Sequence, residues 1–257
     1  MSRLADGRFK TLAKALTDTS LVSTLQGAGP FTVFAPTDDA FAGLPAGTLD
    51  GLTNDQLRTI LTYHVIAKEL PASALKPGPV TTVSKLSAFV SLAGGAVKVN
   101  DATVTTADVT ASNGVLHVID KVLLPPNLVQ AAQFAGSFTS LVGAVTKAGL
   151  ADTLSAANAN LTVFAPTDAA FAALPAGTVE GLSVSALGDL LKYHVVAGEK
   201  LSTDLTAGSV PTLLTGKSVT VNLTGGVKIN DANVVIADVV TTNGIIHAID
   251  KVLTAPN

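Results

Sequence analysis

Four histidines are the residues best equipped for chemistry in this chain, and they fall into two pairs: His64 with His117, and His194 with His247. Imidazole changes charge near neutral pH and ligates metals, so each pair could form an acid–base couple or hold a cation. Tyr63 precedes His64 and Tyr193 precedes His194, which adds a phenol to each pair. Asp38 and Asp168 sit beside Thr37 and Thr167 and could form carboxylate–hydroxyl couples, while Asp120 and Asp250 each precede a lysine. The spacings argue against catalysis. There is no His-x-x-x-His and no cysteine to suit zinc. The nucleophile elbow Gly-x-Ser-x-Gly, the phosphate loop Gly-x-x-x-x-Gly-Lys and the dinucleotide fingerprint Gly-x-Gly-x-x-Gly are also missing. His64 falls seven residues after Leu57 on an apolar stripe, and His117 alternates with Val115 and Ile119. Both placements predict histidines that are at least partly buried and satisfied by hydrogen bonds. Asp38 and Asp168 read as helix caps, and Asp120 and Asp250 as solvated or locally paired charges. No enzyme activity, cofactor or metal is expected.

The elements that must position these residues come in two copies. Thr32-Val-Phe-Ala-Pro-Thr-Asp-Asp-Ala-Phe41 returns as Thr162-Val-Phe-Ala-Pro-Thr-Asp-Ala-Ala-Phe171, an offset of 130 (162 minus 32). Tyr63-His64 returns as Tyr193-His194, and Asn113-Gly-Val-Leu-His-Val-Ile-Asp-Lys-Val-Leu123 as Asn243-Gly-Ile-Ile-His-Ala-Ile-Asp-Lys-Val-Leu253. Solenoid repeats are typically 20–50 residues, whereas this unit is domain-sized and can bury its own core. Two domains follow, residues 1–126 and 127–257, meeting at Pro125-Pro126. The second copy begins with Asn127–Phe134, whose first residues have no counterpart in the first. That boundary, and an ending in step with the repeat, point to a mature or excised product, with an intact cytosolic protein as the competing reading. Met1–Phe9 has no apolar core of a signal peptide.

Within one copy, the residues from Phe9 to Leu25 read as an amphipathic helix broken near Asp18, and Phe31–Ala35 as a buried strand. Leu57, Ile60, Leu61 and His64 mark one face of a helix. From residue 80 onward, short β runs are punctuated by Gly94-Gly95, Asn100-Asp101 and Asn113-Gly114, all turn signals. Helices first and an antiparallel meander last make the class α+β.

Composition removes other classes. A formal net charge of −3 provides no electrostatic footprint for nucleic acid. No apolar run is long enough to span a membrane. The chain has no tryptophan and two tyrosines, a poor supply of stacking platforms for sugars or bases.

The Thr-Val-Phe-Ala-Pro-Thr-Asp-x-Ala-Phe block, the Tyr-His pair and the Asn-Gly-x-x-His-x-Ile-Asp-Lys-Val-Leu block, in that order and twice, resemble the three signatures of the fasciclin domain family. The resemblance covers nearly the whole chain. It implies two tandem domains, each an antiparallel β-sandwich or wedge with several packed helices. It also implies a non-enzymatic, secreted or cell-surface adhesion or matrix-type module whose partner is a protein or a matrix or cell-surface component. The alternative is a carrier of an apolar small molecule such as a carotenoid or lipid, since some members bind such ligands. The implied location is extracellular, periplasmic or at the cell surface. Partner-binding positions carried over from animal matrix members are Asp108-Val109 and Asp238-Val239, where valine replaces the family's isoleucine, together with Tyr63-His64 and Tyr193-His194. Asp108 and Asp238 are expected in an exposed turn just ahead of Asn-Gly.

Overall fold

Side-chain caps start several of the helices in each copy. The computed structural model of the chain describes residues 7–49, 51–179 and 181–256. It divides into two compact units, Met1–Pro125 and Pro126–Asn257. In the first, α1 (Lys10–Asp18) and α2 (Val22–Leu25) form the helix broken after Asp18, with Leu12, Ala15 and Leu16 buried. The strand β1 (Phe31–Pro36) ends at its proline, and Thr37 accepts the Ala40 N–H to start α3 (Asp38–Ala42). Thr53 and Gln56 build a capping box at the start of α4 (Asn54–Tyr63), which buries Ile60, Leu61 and Tyr63.

Six strands follow: β2 (Val65–Ile66), β3 (Gly78–Thr81), β4 (Ser87–Ser91), β5 (Lys98–Val99), β6 (Ala102–Ala111) and β7 (Gly114–Ile119). The sheet order is β2-β1-β7-β6-β5-β4-β3. Strands β3 to β7 pair antiparallel, as the meander predicts. The antiparallel expectation fails at one place. Strand β1 pairs with β7 in parallel, from Phe31↔Gly114 to Pro36↔Ile119. No βαβ crossover makes this pair; most of the unit lies between the two strands. The sheet is therefore mixed, within an α+β fold.

The parallel β1–β7 pair is covered on both faces and so carries apolar residues on both. Phe34 and Ile119 join Tyr63, Val90, Val99 and Leu123 in one buried core. Ala35, Leu116 and Val118 face the helices and pack with Phe9, Leu12, Leu16, Phe41 and Leu61. Burying one such side chain is worth about 1.5–3 kcal/mol.

The second unit repeats this with α6 (Thr139–Lys147), α7 (Ala151–Ser155), β8 (Leu161–Pro166), α8 (Asp168–Ala172) and α9 (Val184–Tyr193). Its remaining strands are β9 (Val195–Ala197), β10 (Gly208–Pro211), β11 (Ser218–Asn222), β12 (Lys228–Ile229), β13 (Ala232–Val240) and β14 (Gly244–Ile249), with β8 and β14 parallel. It is preceded by α5 (Leu128–Ala135), capped by Asn127 and closed by Gly136 in the left-handed conformation.

Candidate functional site

The histidines are anchored from both ring nitrogens. His64 ends α4, and its Nδ1 lies 2.7 Å from the Ile60 carbonyl, while Nε2 accepts the Leu123 N–H at 2.9 Å. The backbone donor fixes the tautomer: Nε2 must be the acceptor and Nδ1–H the donor. Burial holds the His64 imidazole neutral, with its pKa lowered to about 4, against a smaller opposing effect of the Ile60 hydrogen bond. His194 repeats this between Leu190 and Leu253, also at about 4. His117 lies inside the sheet, stacked on Phe34, with Nε2 2.9 Å from the Leu70 carbonyl and Nδ1 accepting the Asp108 N–H at 3.3 Å. His247 makes the same contacts with Lys200 and Asp238, and burial depresses its pKa despite the nearby Lys200 carbonyl and Asp238 carboxylate. The paired histidines thus act as backbone clamps, and among the described residues no group of three or more His, Asp or Glu is placed to hold a metal.

Tyr63 is fully buried and donates to the Ser87 carbonyl at 2.8 Å; burial pushes its phenol pKa up. Asn100 completes this network, donating to Tyr63 Oη at 3.0 Å and accepting the Phe89 N–H at 3.0 Å. Tyr193, Ser218, Asn230 and Thr220 form the second copy of it. Tyr63, His64, Tyr193 and His194, expected among partner-binding residues, therefore have no surface to offer a partner. The i, i+3, i+4, i+7 stripe carries His64 and His194 inward, the tyrosines enter the neighbouring core, and their polar atoms are spent on hydrogen bonds within the fold.

Asp108 and Asp238 also sit elsewhere than the sequence suggested. Asp108 lies within β6, five residues before Asn113, where the register shifts between Thr106↔Val118 and Val109↔Leu116. One extra residue on β6 forms a bulge, and Asp108 adopts φ 58°, a conformation that aspartate tolerates better than most residues. Its Oδ1 accepts the Ala72 N–H at 2.8 Å. Asp238, at φ 60°, accepts from both Ser202 N–H and Ser202 Oγ at 2.6 Å. Val109 is half-buried and Val239 is buried. Thr32 finishes the assembly, donating to the Lys68 carbonyl and accepting the Leu70 N–H. Thr32, His117 and Asp108 thereby pin the loop 68–72 onto the bulge, and Thr162, His247 and Asp238 pin 198–202. Nothing in the local pattern of Thr32 signals this role; its reappearance as Thr162 does.

The other polar candidates are structural as well. Asp38 does not cap its own helix. Its carboxylate accepts the Thr11 and Lys10 N–H groups at the start of α1, and the Thr11 hydrogen bond leads in holding its pKa below the ordinary carboxylate value. Asp120 accepts the Thr103 N–H, and Lys121 pairs with Asp101. Asn113 donates to the Leu25 and Gly27 carbonyls, closing the end of α2.

Beside His64 and His194, between helices and the parallel strand pair, lie cavities of ≈ 50 and ≈ 40 Å³. Small-molecule pockets run from about 300 to 1,000 Å³, and these two cavities fall below that range.

The fasciclin domain model matches residues 7–125 and 136–255. The chain belongs to the fasciclin domain family. Protein sll1483 of Synechocystis is 50% identical over 122 residues, covering 46% of this chain and 68% of that protein. Transforming growth factor-beta-induced protein ig-h3 of Sus scrofa is 34% identical over 241 residues, 89% of this chain. The chain spans about a third of ig-h3, 35% of its length. The solved FAS1 domain pair from the insect cell adhesion molecule Fasciclin I superposes with a TM-score of 0.63 at 22% identity, covering 97% of both chains. That likeness is one of fold. Among the described residues no helix is long and apolar enough to cross a membrane.

Proposed function

We propose that this tandem fasciclin pair is a non-enzymatic protein-binding module of the adhesion or matrix type, acting outside the cytoplasm. Among the described residues, the four histidines, the two Tyr–His tyrosines, Asp38 and Asp108 are tied to backbone, which favours recognition by shape and surface. The surface we assign is the bulged outer face of β6 and β13. The observation that carries it is in the second unit: Val235 and Ile236 are 53% and 38% exposed on the strand just ahead of the Asp238 bulge. Their counterparts, Thr105 and Thr106, are exposed in the first unit. Asp108-Val109 and Asp238-Val239 frame this face, and His117 and His247 fix the bulges from within. Two copies on one chain add avidity toward a clustered partner. Beads coated with the protein should adhere to cells or matrix, and Val235→Ser with Ile236→Thr should weaken that adhesion without shifting the melting curve. Full adhesion by the double variant would remove this face from the account.

A further inference from the structure

In the second unit α5 packs on α6, α7 and β14 and buries Leu128, Ala131 and Ala132. Asn243 receives this helix. Its Oδ1 accepts the Leu128 N–H at 2.9 Å, while its Nδ2 donates to the Leu154 and Ala156 carbonyls. Leu128 lies over Gly244, where an added Cβ would come within 2.9 Å of Leu128 Cδ1. Just ahead of the helix, the Pro126 carbonyl accepts the Thr242 N–H at 3.0 Å.

The first unit carries the same receiving residues with no described helix on them. Asn113 holds the pose of Asn243, its Nδ2 donating to the Leu25 and Gly27 carbonyls at 2.8 and 2.9 Å. Among the described residues no donor reaches Asn113 Oδ1, and no carbonyl reaches the N–H of Ser112, the counterpart of Thr242. Leu25, Phe31 and Val33 are partly exposed where Leu154, Leu161 and Val163 are buried. Asn113 is partly exposed as well, whereas Asn243 is 1% exposed. Over Ser112 and Asn113 opens a cavity of ≈ 360 Å³, edged by Pro30 and Glu69. The matching backbone of the second unit is where Pro126 and Leu128 dock. Glu69 has no cationic partner among the described residues.

We propose that this face of the first unit is a docking groove for an amphipathic helix of a partner protein, seated as α5 is seated in the second unit. The fitting segment has an Asn or Asp cap, leucine at its first helical position, alanine at its fourth and fifth, and a basic residue ahead of the cap. The leucine side chain covers Gly114 and its N–H meets Asn113 Oδ1. The alanines allow close approach, and the basic residue faces Glu69. Helix-in-groove recognition rests on anchors at this i, i+3, i+4 spacing. The groove is independent of the adhesive face assigned above, because Val235 and Ile236 lie in the other unit.

The probe is a synthetic peptide of residues 125–137, blocked at both ends, titrated into the full chain and followed by backbone amide NMR. Shifts are expected at Leu25, Phe31, Asn113 and Gly114, and not at Leu154, Leu161, Asn243 and Gly244, which α5 already covers. Short isolated helices are marginal in water. A second peptide, extended from Ala135 by two Glu-Ala-Ala-Ala-Lys repeats, should therefore bind several-fold more tightly. Leu128→Asp within either peptide should abolish the shifts and leaves the protein unaltered. Pro125→Lys in the peptide should tighten binding about two- to five-fold at low salt, the worth of an exposed ion pair, and Glu69→Gln in the chain should cancel that gain. Failure of both peptides to bind, equal shifts in both units, full binding of the Leu128→Asp peptide, or a lysine gain that survives Glu69→Gln would each overturn the proposal. So would sedimentation showing that the chain alone forms dimers which the peptide dissociates, since that assigns the groove to a second copy.

Discussion

Acidification from about pH 7.5 to about pH 5 should destabilise both units before any carboxylate matters. The cause is the pair of helix-end histidines. His64 and His194 have folded pKa values near about 4, against 6.5 for the free side chain. Each folded-state value is depressed, so the unfolded chain takes up protons first. The stability these groups confer is complete above 6.5 and is lost as the pH falls toward 4. At about pH 5 the difference in proton binding integrates to about 1.5 pH units, or about 2 kcal/mol in each unit. His247, also depressed by burial, steepens the slope in the second unit. The carboxylates Asp38, Asp168 and Asp250, lowered from 3.8, contribute only at lower pH. Urea unfolding at several pH values measures this directly. His64→Gln, whose amide cannot titrate, should flatten the pH dependence of the first unit alone. Identical urea midpoints at both ends of the range would refute the assignment of these rings as buried and neutral.

Three further outcomes follow from the geometry. Gly114→Ala places a Cβ 1.9 Å from the Phe31 carbonyl oxygen, in the seam of the parallel pair, and should cost more than about 3 kcal/mol in chemical denaturation. Asn100→Ala strips partners from Tyr63 Oη and the Phe89 N–H and should cost about 2–3 kcal/mol; Asn230→Ala should match it in the second unit. Asp108→Ala loses the Ala72 contact and the residue type that suits positive φ, and should lower the melting temperature, while Asp108→Asn, which keeps both, should restore most of it.

Much of this architecture was legible in the sequence, for identifiable reasons. The α4 stripe Leu57, Ile60, Leu61 and His64 and the strand Phe31–Ala35 are local patterns, and local patterns report burial directly. The broken first helix and the Gly94-Gly95 and Asn100-Asp101 turns belong to the same class. What stayed hidden involves partners far apart in the chain. Strand β1 meets β7 after most of the unit has intervened, and no periodicity encodes that pairing. Asp38 caps a helix 27 residues earlier instead of its own. Asn113 reads as a turn residue, yet its amide closes the end of α2 across 88 residues. Asp108 was expected in a turn because Asn-Gly follows it, and the bulge that holds it depends on His117 across the strand pair. The duplication is the one sequence signal that exposes such roles, because Thr32, Asn100 and Asp108 all return in the second copy.

The central claim is a division of labour: the histidine clamps hold the fold, and the bulged face meets the partner. One paired measurement tests it, comparing adhesion and melting for His117→Gln and for Val235→Ser/Ile236→Thr at a temperature where both remain folded. The account predicts that the histidine variant melts earlier and adheres in full, whereas the surface variant melts normally and adheres weakly. The reverse pattern, adhesion lost with His117 and kept without Val235 and Ile236, would contradict it.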